Sequence, residues 1–317
     1  MKDVVLSIRG LKVYYKTRRG LVKAVDNVDL DVYEGEILGL VGESGCGKTT
    51  LGLSIMRLLP SNAIIAGGQI LFKGKDILKI PDEEMRMIRG KDISMIFQDP
   101  MTSLDPLMKI GDHVIETYLS HMPVKVDEAK GKTMELLEKL GIEKERVDDY
   151  PHQFSGGMRQ RVVIATAIAL HPAVIIADEP TTALDVVTQA QILQTLRRLR
   201  DELGSSVILI THNLGIVAQI SDRVAVMYAG KIVEVGTVKE IFMDPLHPYT
   251  KGLISAVPKV SPAGGELSSI PGSPPDLINP PSGCRFHPRC PYAKEICSRE
   301  EPSKKIIDGR IVYCHAL

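Results

Sequence analysis

The chain has 317 residues, enough to bury a full core and to form one large domain with an appendage, or two domains. Its 39 basic and 39 acidic side chains cancel, and aromatics are scarce at 4% with no tryptophan, which leaves neither a global electrostatic footprint nor a base-stacking surface for nucleic acid. The longest apolar stretch, Val162 to Ala177, breaks at His171-Pro172 and falls short of a bilayer span, so any membrane role must come through docking on an integral partner.

Val4 to Ile8 is a short apolar alternation that reads as a strand and lacks the continuous apolar run of a signal peptide. Ala24 to Val32 reads as its antiparallel partner, with Tyr14 and Tyr15 between them. Glu36 to Val41 is a buried strand feeding a glycine-rich loop, and Thr49 to Leu59 has helical apolar spacing. From about Arg89 to Leu170 the pattern turns helical, with a capped amphipathic stretch from Asp127 to Leu140 that stops at Gly141. Strands recur at Val174 to Asp178, Val207 to Thr211 and Val224 to Tyr228, around a helix whose Ile192, Leu193, Leu196, Leu199 and Leu203 share a face. This alternation predicts an α/β fold with a mainly parallel sheet covered on both sides, plus a small antiparallel sheet and an inserted helical subdomain at about 90–170.

The core should end near Gly236, giving a domain over 1–240 and an extension over 241–317. From Pro245 onward proline, glycine and serine dominate, as in Ile270-Pro271-Gly272-Ser273-Pro274-Pro275, which predicts an irregular arm with a compact cysteine-bearing end. The odd total of five cysteines and the missing signal argue for a reducing compartment.

Three motifs carry chemistry. Gly42-Glu43-Ser44-Gly45-Cys46-Gly47-Lys48-Thr49, followed by Thr50, satisfies the P-loop pattern without exception. Its glycines let successive N–H groups curl around phosphate oxygens at the start of a helix, Lys48 should bridge the β- and γ-phosphates, and Thr49 presents a hydroxyl to Mg²⁺. Cys46 fills a free position of the pattern, which fits packing better than catalysis. Val174 to Glu179 is an apolar strand ending in two carboxylates: Asp178 to hold Mg²⁺ through water and Glu179 as general base. Ser155-Gly156-Gly157 opens a helix whose N-terminus suits a second phosphate, although the chain already owns a phosphate cradle.

In this order the three motifs resemble the ATP-binding-cassette (ABC) ATPases. The resemblance implies a dimer in which Ser155, Gly156 and Gly157 contact the γ-phosphate of ATP held by a facing cassette, either a copy or a paralogue. It assigns Gln98 to Mg²⁺ and the attacking water, His212 to a switch at the γ-phosphate, and Ala183-Leu184-Asp185 to the loop that communicates across the dimer. It also places a tyrosine against adenine, Tyr14 with Tyr15 as close competitor. The insert between P-loop and signature lacks sustained heptads and the chain holds one cassette, unlike DNA-repair and translation-type relatives, so a transport motor is favoured over a non-transport regulatory ATPase.

Leu246-His247-Pro248-Tyr249-Thr250, Ile270 to Leu277 and Gly283-Cys284-Arg285-Phe286-His287-Pro288-Arg289-Cys290-Pro291 are similar to the dipeptide and oligopeptide permease ATPases. That likeness implies two membrane permeases as partners, an external peptide-binding protein and a peripheral position on the cytoplasmic face of the membrane, with no nucleic acid. The cargo stays open, since relatives import nickel, glutathione or oligosaccharides. Cys284, Cys290, Cys297 and Cys314 offer four soft ligands for a [4Fe–4S] cluster, as in relatives with a similar tail, or for zinc, although their spacing is unlike the short C-x₂₋₄-C pairs of a zinc ribbon. Such a centre would serve as a staple for a proline-rich tail or as a redox control.

Overall fold

The computed structural model describes residues 3–182, 184–256 and 270–317. The amino-terminal part gives β1 (Val4–Thr17), β2 (Gly20–Tyr33), β3 (Ile37–Val41), α1 (Lys48–Met56), β4 (Ala63–Phe72) and β5 (Lys75–Asp76). Then come α2 (Asp82–Ile88), β6 (Ile93–Ile96), α3 (Pro100–Ser103), α4 (Ile110–His121), α5 (Val126–Lys139) and α6 (Gly156–Ile168). Strand and helix alternate through β7 (Val174–Asp178), α7 (Val186–Leu203), β8 (Ser206–Ile210), α8 (Leu214–Ile220), β9 (Arg223–Tyr228) and β10 (Lys231–Thr237). The extension contributes α9 (Val238–Met243), α10 (Pro248–Ser255), α11 (Glu295–Arg299), β11 (Lys304–Ile307) and β12 (Arg310–Tyr313).

Two compact units divide the chain. The first is built mainly from Lys79–Leu209. Its strands run in the order β8, β7, β6, and β6 pairs with β7 in parallel from Ile93↔Val174 to Ile96↔Ala177. All five residues of β7 and of β8 are buried, as expected of strands covered on both faces. Helix α5 ends as its sequence dictates: Gly141 takes φ 76°, its N–H donates to Glu138 O, and the Ile142 N–H reaches Leu137 O, which makes a Schellman cap. Helix α7 buries Ile192, Leu193, Leu196 and Leu199, while Leu203, expected on the same face, is 40% exposed because Gly204 turns the chain there with φ 67°.

The second unit comprises Leu6–Val32, Ile37–Leu78 and Ile210–Leu317. A four-stranded sheet has the order β2, β1, β4, β5, with β1 and β4 antiparallel. Strands β1 and β2 are 14 residues each, longer than the sequence pattern marks, and Tyr14 and Tyr15 lie inside β1 because they continue its pairing opposite Ile64 and Ala63. The other strands run β11, β12, β10, β9, β3, with β3 parallel to β9 and the hairpin side antiparallel. The extension is therefore less irregular than its composition implies: β12 pairs with β10 at Glu234↔Val312 and Val235↔Ile311, and β11 continues the ladder. Helix α1 stops at Arg57, which takes φ 50°, short of Leu59. Among the described residues no helix is long and apolar enough to cross a membrane.

Candidate functional site

In the second unit, buried strand β3 delivers Gly42 into a loop that leaves no room for a side chain at Gly42 or Gly47. A Cβ on Gly42, at φ 155°, would stand 2.0 Å from Met227 O, and one on Gly47, at φ 108°, would stand 2.1 Å from Ala24 O. Gly47 caps α1, so the unpaired N–H groups and positive dipole end of that helix face the loop. Lys48 is 7% exposed and folds into the cradle, its Nζ donating to Gly42 O at 2.8 Å and Glu43 O at 3.0 Å. Phosphate oxygens can take over these bonds from the carbonyls without moving the lysine out of the loop. Ser44, Gly45 and Thr49 are exposed, while Thr50 and Cys46 are buried, and burial pushes the Cys46 thiol up. The residues thus fit a Mg²⁺-bound nucleotide phosphate in both shape and charge.

The two tyrosines of β1 part at this loop. Tyr15 lies within hydrogen-bond distance of Thr50, with Oη and Oγ1 3.0 Å apart. Tyr14 points to the other strand face, where its hydroxyl donates to Asp26 at 2.7 Å, and burial together with that carboxylate pushes it up to about 12. The Thr211 N–H donates to Leu40 O at 3.3 Å, so exposed His212 follows at the same strand edge as the phosphate loop.

In the first unit, Asp178 ends β7 at 2% exposure. Glu179 adopts the left-handed φ 49°, a conformation costing about 1–3 kcal/mol for a non-glycine residue and typical of functional positions. Thr182 Oγ1 donates to Glu179 Oε2 at 2.9 Å and orients the carboxylate. Gln98 is exposed just after β6, ahead of α3, whose N-cap Asp99 accepts from the Met101 N–H. Ser155 caps α6 by accepting from the Met158 N–H, and it and Gly156 are exposed. A Cβ on Gly157 would stand 2.5 Å from Thr188 Cγ2. Asp185 accepts from the Val187 and Thr188 N–H groups and from Thr188 Oγ1, and the Thr188 backbone bond heads the causes that hold its carboxyl below the usual range. Thr188 thereby joins the signature corner to Asp185; Ala183 lies outside the described residues.

The carboxy-terminal cysteines share one neighbourhood. Burial pushes the Cys284 thiol up to about 11, reinforced by Cys297, Cys314 and Cys290. Cys297 and Cys314 are buried, and their Sγ atoms accept the Lys294 and Ala316 N–H groups, each at 3.4 Å. The cysteines are free thiols, and among the described residues no three His, Cys, Asp or Glu side chains are grouped to hold a metal ion.

Residues that the sequence patterns do not single out complete the picture. Glu43 of the loop is met by Arg289 and Tyr249, and Asp26 by Arg285, contacts far apart in the chain. The only sequence signal for them is their place inside the quoted carboxy-terminal motifs.

Comparison with known proteins agrees with this geometry. Residues 25–182 match the ABC transporter family, and residues 233–297 match the oligopeptide/dipeptide transporter C-terminal region. The chain is 52% identical to the dipeptide transport ATP-binding protein DppD of Bacillus subtilis, covering 98% of this chain and 94% of that protein. It is 45% identical to the oligopeptide transport ATP-binding protein OppD of Salmonella typhimurium, covering 98% and 93%. Among solved structures, the dimeric ABC transporter cassette MJ0796 superposes with TM-score 0.67 at 28% identity, covering 74% of this chain and 98% of that one. The same cassette is known as a dimer in a post-hydrolysis state bound to ADP and Pi. The chain therefore belongs to the ABC transporter ATP-binding proteins, in the oligopeptide/dipeptide transporter family.

Proposed function

We propose that the chain is the ATP-hydrolysing motor subunit of a peptide importer. The observation that carries this reading is the end-to-end identity of 52% with a dipeptide transport ATP-binding protein, since it includes the extension as well as the cassette. In this reading residues 1–240 form the nucleotide-binding domain, with its helical subdomain at about 90–170, and residues 241–317 the peptide-permease extension. The subunit works at the cytoplasmic face of the membrane, beneath two integral permeases fed by an external peptide-binding protein. A second cassette, a paralogue or a copy, completes each nucleotide site.

Hydrolysis is an in-line displacement: a water oxygen bonds to the γ-phosphorus, the bridging bond to ADP breaks, and the water proton passes to Glu179. The loop from Ser44 through Gly45, Cys46 and Gly47 to Thr50 holds the phosphates, with Lys48 across the β- and γ-oxygens. Thr49 and Gln98, with Asp178 through water, would hold Mg²⁺, which would supply positive charge against the phosphate oxygens. Gln98 and His212 position the water and the γ-phosphate. Ser155, Gly156 and Gly157 serve the nucleotide of the facing chain, and Asp185 links the two sites. Tyr15 is the better partner for adenine, because its hydroxyl reaches Thr50 behind the loop while that of Tyr14 is committed to Asp26.

We also read Cys284, Cys290, Cys297 and Cys314 as ligands of a [4Fe–4S] cluster, with zinc as runner-up. Two N–H donors aimed at the sulfurs of Cys297 and Cys314, and the Cys284 N–H donating to Cys297 O at 2.8 Å, support this. Anaerobic purification with visible absorption and iron/sulfide assay tests it, and a colourless protein with stoichiometric zinc would overturn it. For the motor itself, Glu179→Gln should keep ATP binding while hydrolysis falls by about 10²-fold or more, and Lys48→Ala should lose both. Normal hydrolysis by Glu179→Gln sinks the base assignment; absence of ATP-dependent peptide uptake after reconstitution with the permeases sinks the transport reading.

A further inference from the structure

Glu43, next to the first glycine of the phosphate loop, is gripped by the carboxy-terminal region at two points. Its backbone N–H donates to Tyr249 Oη at 2.9 Å. Its carboxylate receives both arms of one guanidinium, Arg289 Nη1 on Oε2 at 2.8 Å and Nη2 on Oε1 at 3.0 Å. The carbonyl of the same residue accepts Lys48 Nζ at 3.0 Å. One residue thus connects the extension to the phosphate lysine.

Both clamping side chains are themselves fixed. Arg289 Nε donates to Pro271 O at 2.7 Å, and Nη1 also reaches Tyr228 Oη at 3.3 Å. The Arg289 side chain is 7% exposed and that of Glu43 24%. Tyr249 is fully buried and its ring meets those of Tyr228 and Phe286. A bidentate guanidinium–carboxylate pair fixes direction as well as distance, and largely desolvated surroundings strengthen it. A glutamate serving only solubility would have neither partner.

We propose that Arg289 and Tyr249 are positioning residues for the nucleotide: they hold Glu43, and through its carbonyl Lys48, in the shape that accepts phosphate. The carboxy-terminal region thereby sets the ATP affinity of the loop it touches. This role presupposes that the loop is the ATP site. A staple that merely holds the fold would lower the melting temperature of the variants and leave their nucleotide affinity alone.

Mg-ATP titration calorimetry and thermal melting on the full chain separate the two. Wild type and Lys48→Ala are compared first, and equal affinity there would overturn the ATP reading together with the clamp. Given a difference, Arg289→Gln and Glu43→Gln are each expected to weaken Mg-ATP by about tenfold, with the double variant no weaker than either, because both remove one interaction. Arg289→Lys keeps the charge without the fork and is expected to recover only part of the loss. Tyr249→Phe is expected to weaken binding by about threefold. Wild-type affinity in Arg289→Gln, folded by circular dichroism, would overturn the clamp. Should that variant not fold, wild-type affinity in both Glu43→Gln and Tyr249→Phe would do the same.

Discussion

At the phosphate loop the close approaches are made by backbone: a Cβ on Gly42 or Gly47 would collide with Met227 O or Ala24 O. At the carboxy-terminal end they are made by three buried arginines whose partners lie far away in sequence or in another element: Arg285 on Asp26 and Ala229 O, Arg289 on Glu43, and Arg310 on Asp244 O at 2.6 Å. A glycine in a left-handed turn is a local instruction, complete within a few residues. An arginine is a long-range one, meaningless until its acceptor has folded. The first region should tolerate no added atom at Gly42 or Gly47, and the second should fail when a charge is removed.

The largest effect expected is at the loop. Gly47→Ala puts a Cβ 2.1 Å from Ala24 O at a φ that disfavours any side chain, so Mg-ATP affinity should fall by about 10²-fold or more. Calorimetric titration checks this, and retained affinity would mean that the loop can yield, which breaks the contrast. Next, Arg285→Met should cost about 2 kcal/mol in urea denaturation, because the half-buried Asp26 carboxylate loses its guanidinium partner and keeps Tyr14 and, at 3.9 Å, Lys231. A loss under about 1 kcal/mol, the worth of a surface pair, would show the long-range pair to be dispensable.

Counted per unit of pH, the smallest effect comes from acid. His247 is 1% exposed, its Nδ1 accepts the Tyr249 N–H at 3.0 Å, and burial holds its pKa down at about 3. The unfolded chain takes up this proton first, near pH 6.5. Stability from His247 is therefore complete above about 6.5 and declines as pH falls toward 3, by up to about 1.4 kcal/mol per unit. His247→Asn keeps an acceptor for the N–H and should flatten melting temperature against pH between about 6.5 and 4.5. An unchanged slope would move the acid sensitivity to other groups.

What could be read from sequence follows the same division. The loop, β7 with Asp178-Glu179, and the Gly141 stop of α5 obey rules that act within a few residues, so spacing alone locates them. That Tyr15 meets Thr50 of α1 while Tyr14 meets Asp26 depends on which face of β1 lies against α1, which neighbouring tyrosines cannot reveal. Strands β11 and β12 had a local signal that the proline-rich stretch upstream masked: Asp308-Gly309, both at positive φ, is a two-residue hairpin turn between Ile306-Ile307 and Ile311-Val312. The grip of Arg289 on Glu43 spans a sequence separation of 246, beyond any local pattern.

The ladder between β10 and β12 has a consequence for biosynthesis. Strand β10 leaves the ribosome before its neighbour exists, and the whole stretch from Val238 to Gly309 must be translated before β12 begins to emerge. At about 5–20 residues per second that interval lasts several seconds, during which one edge of β10 offers unpaired N–H and C=O groups to any other strand. The nascent chain is thus most prone to mispairing late in its synthesis, when a chaperone resting on that edge would do the most good.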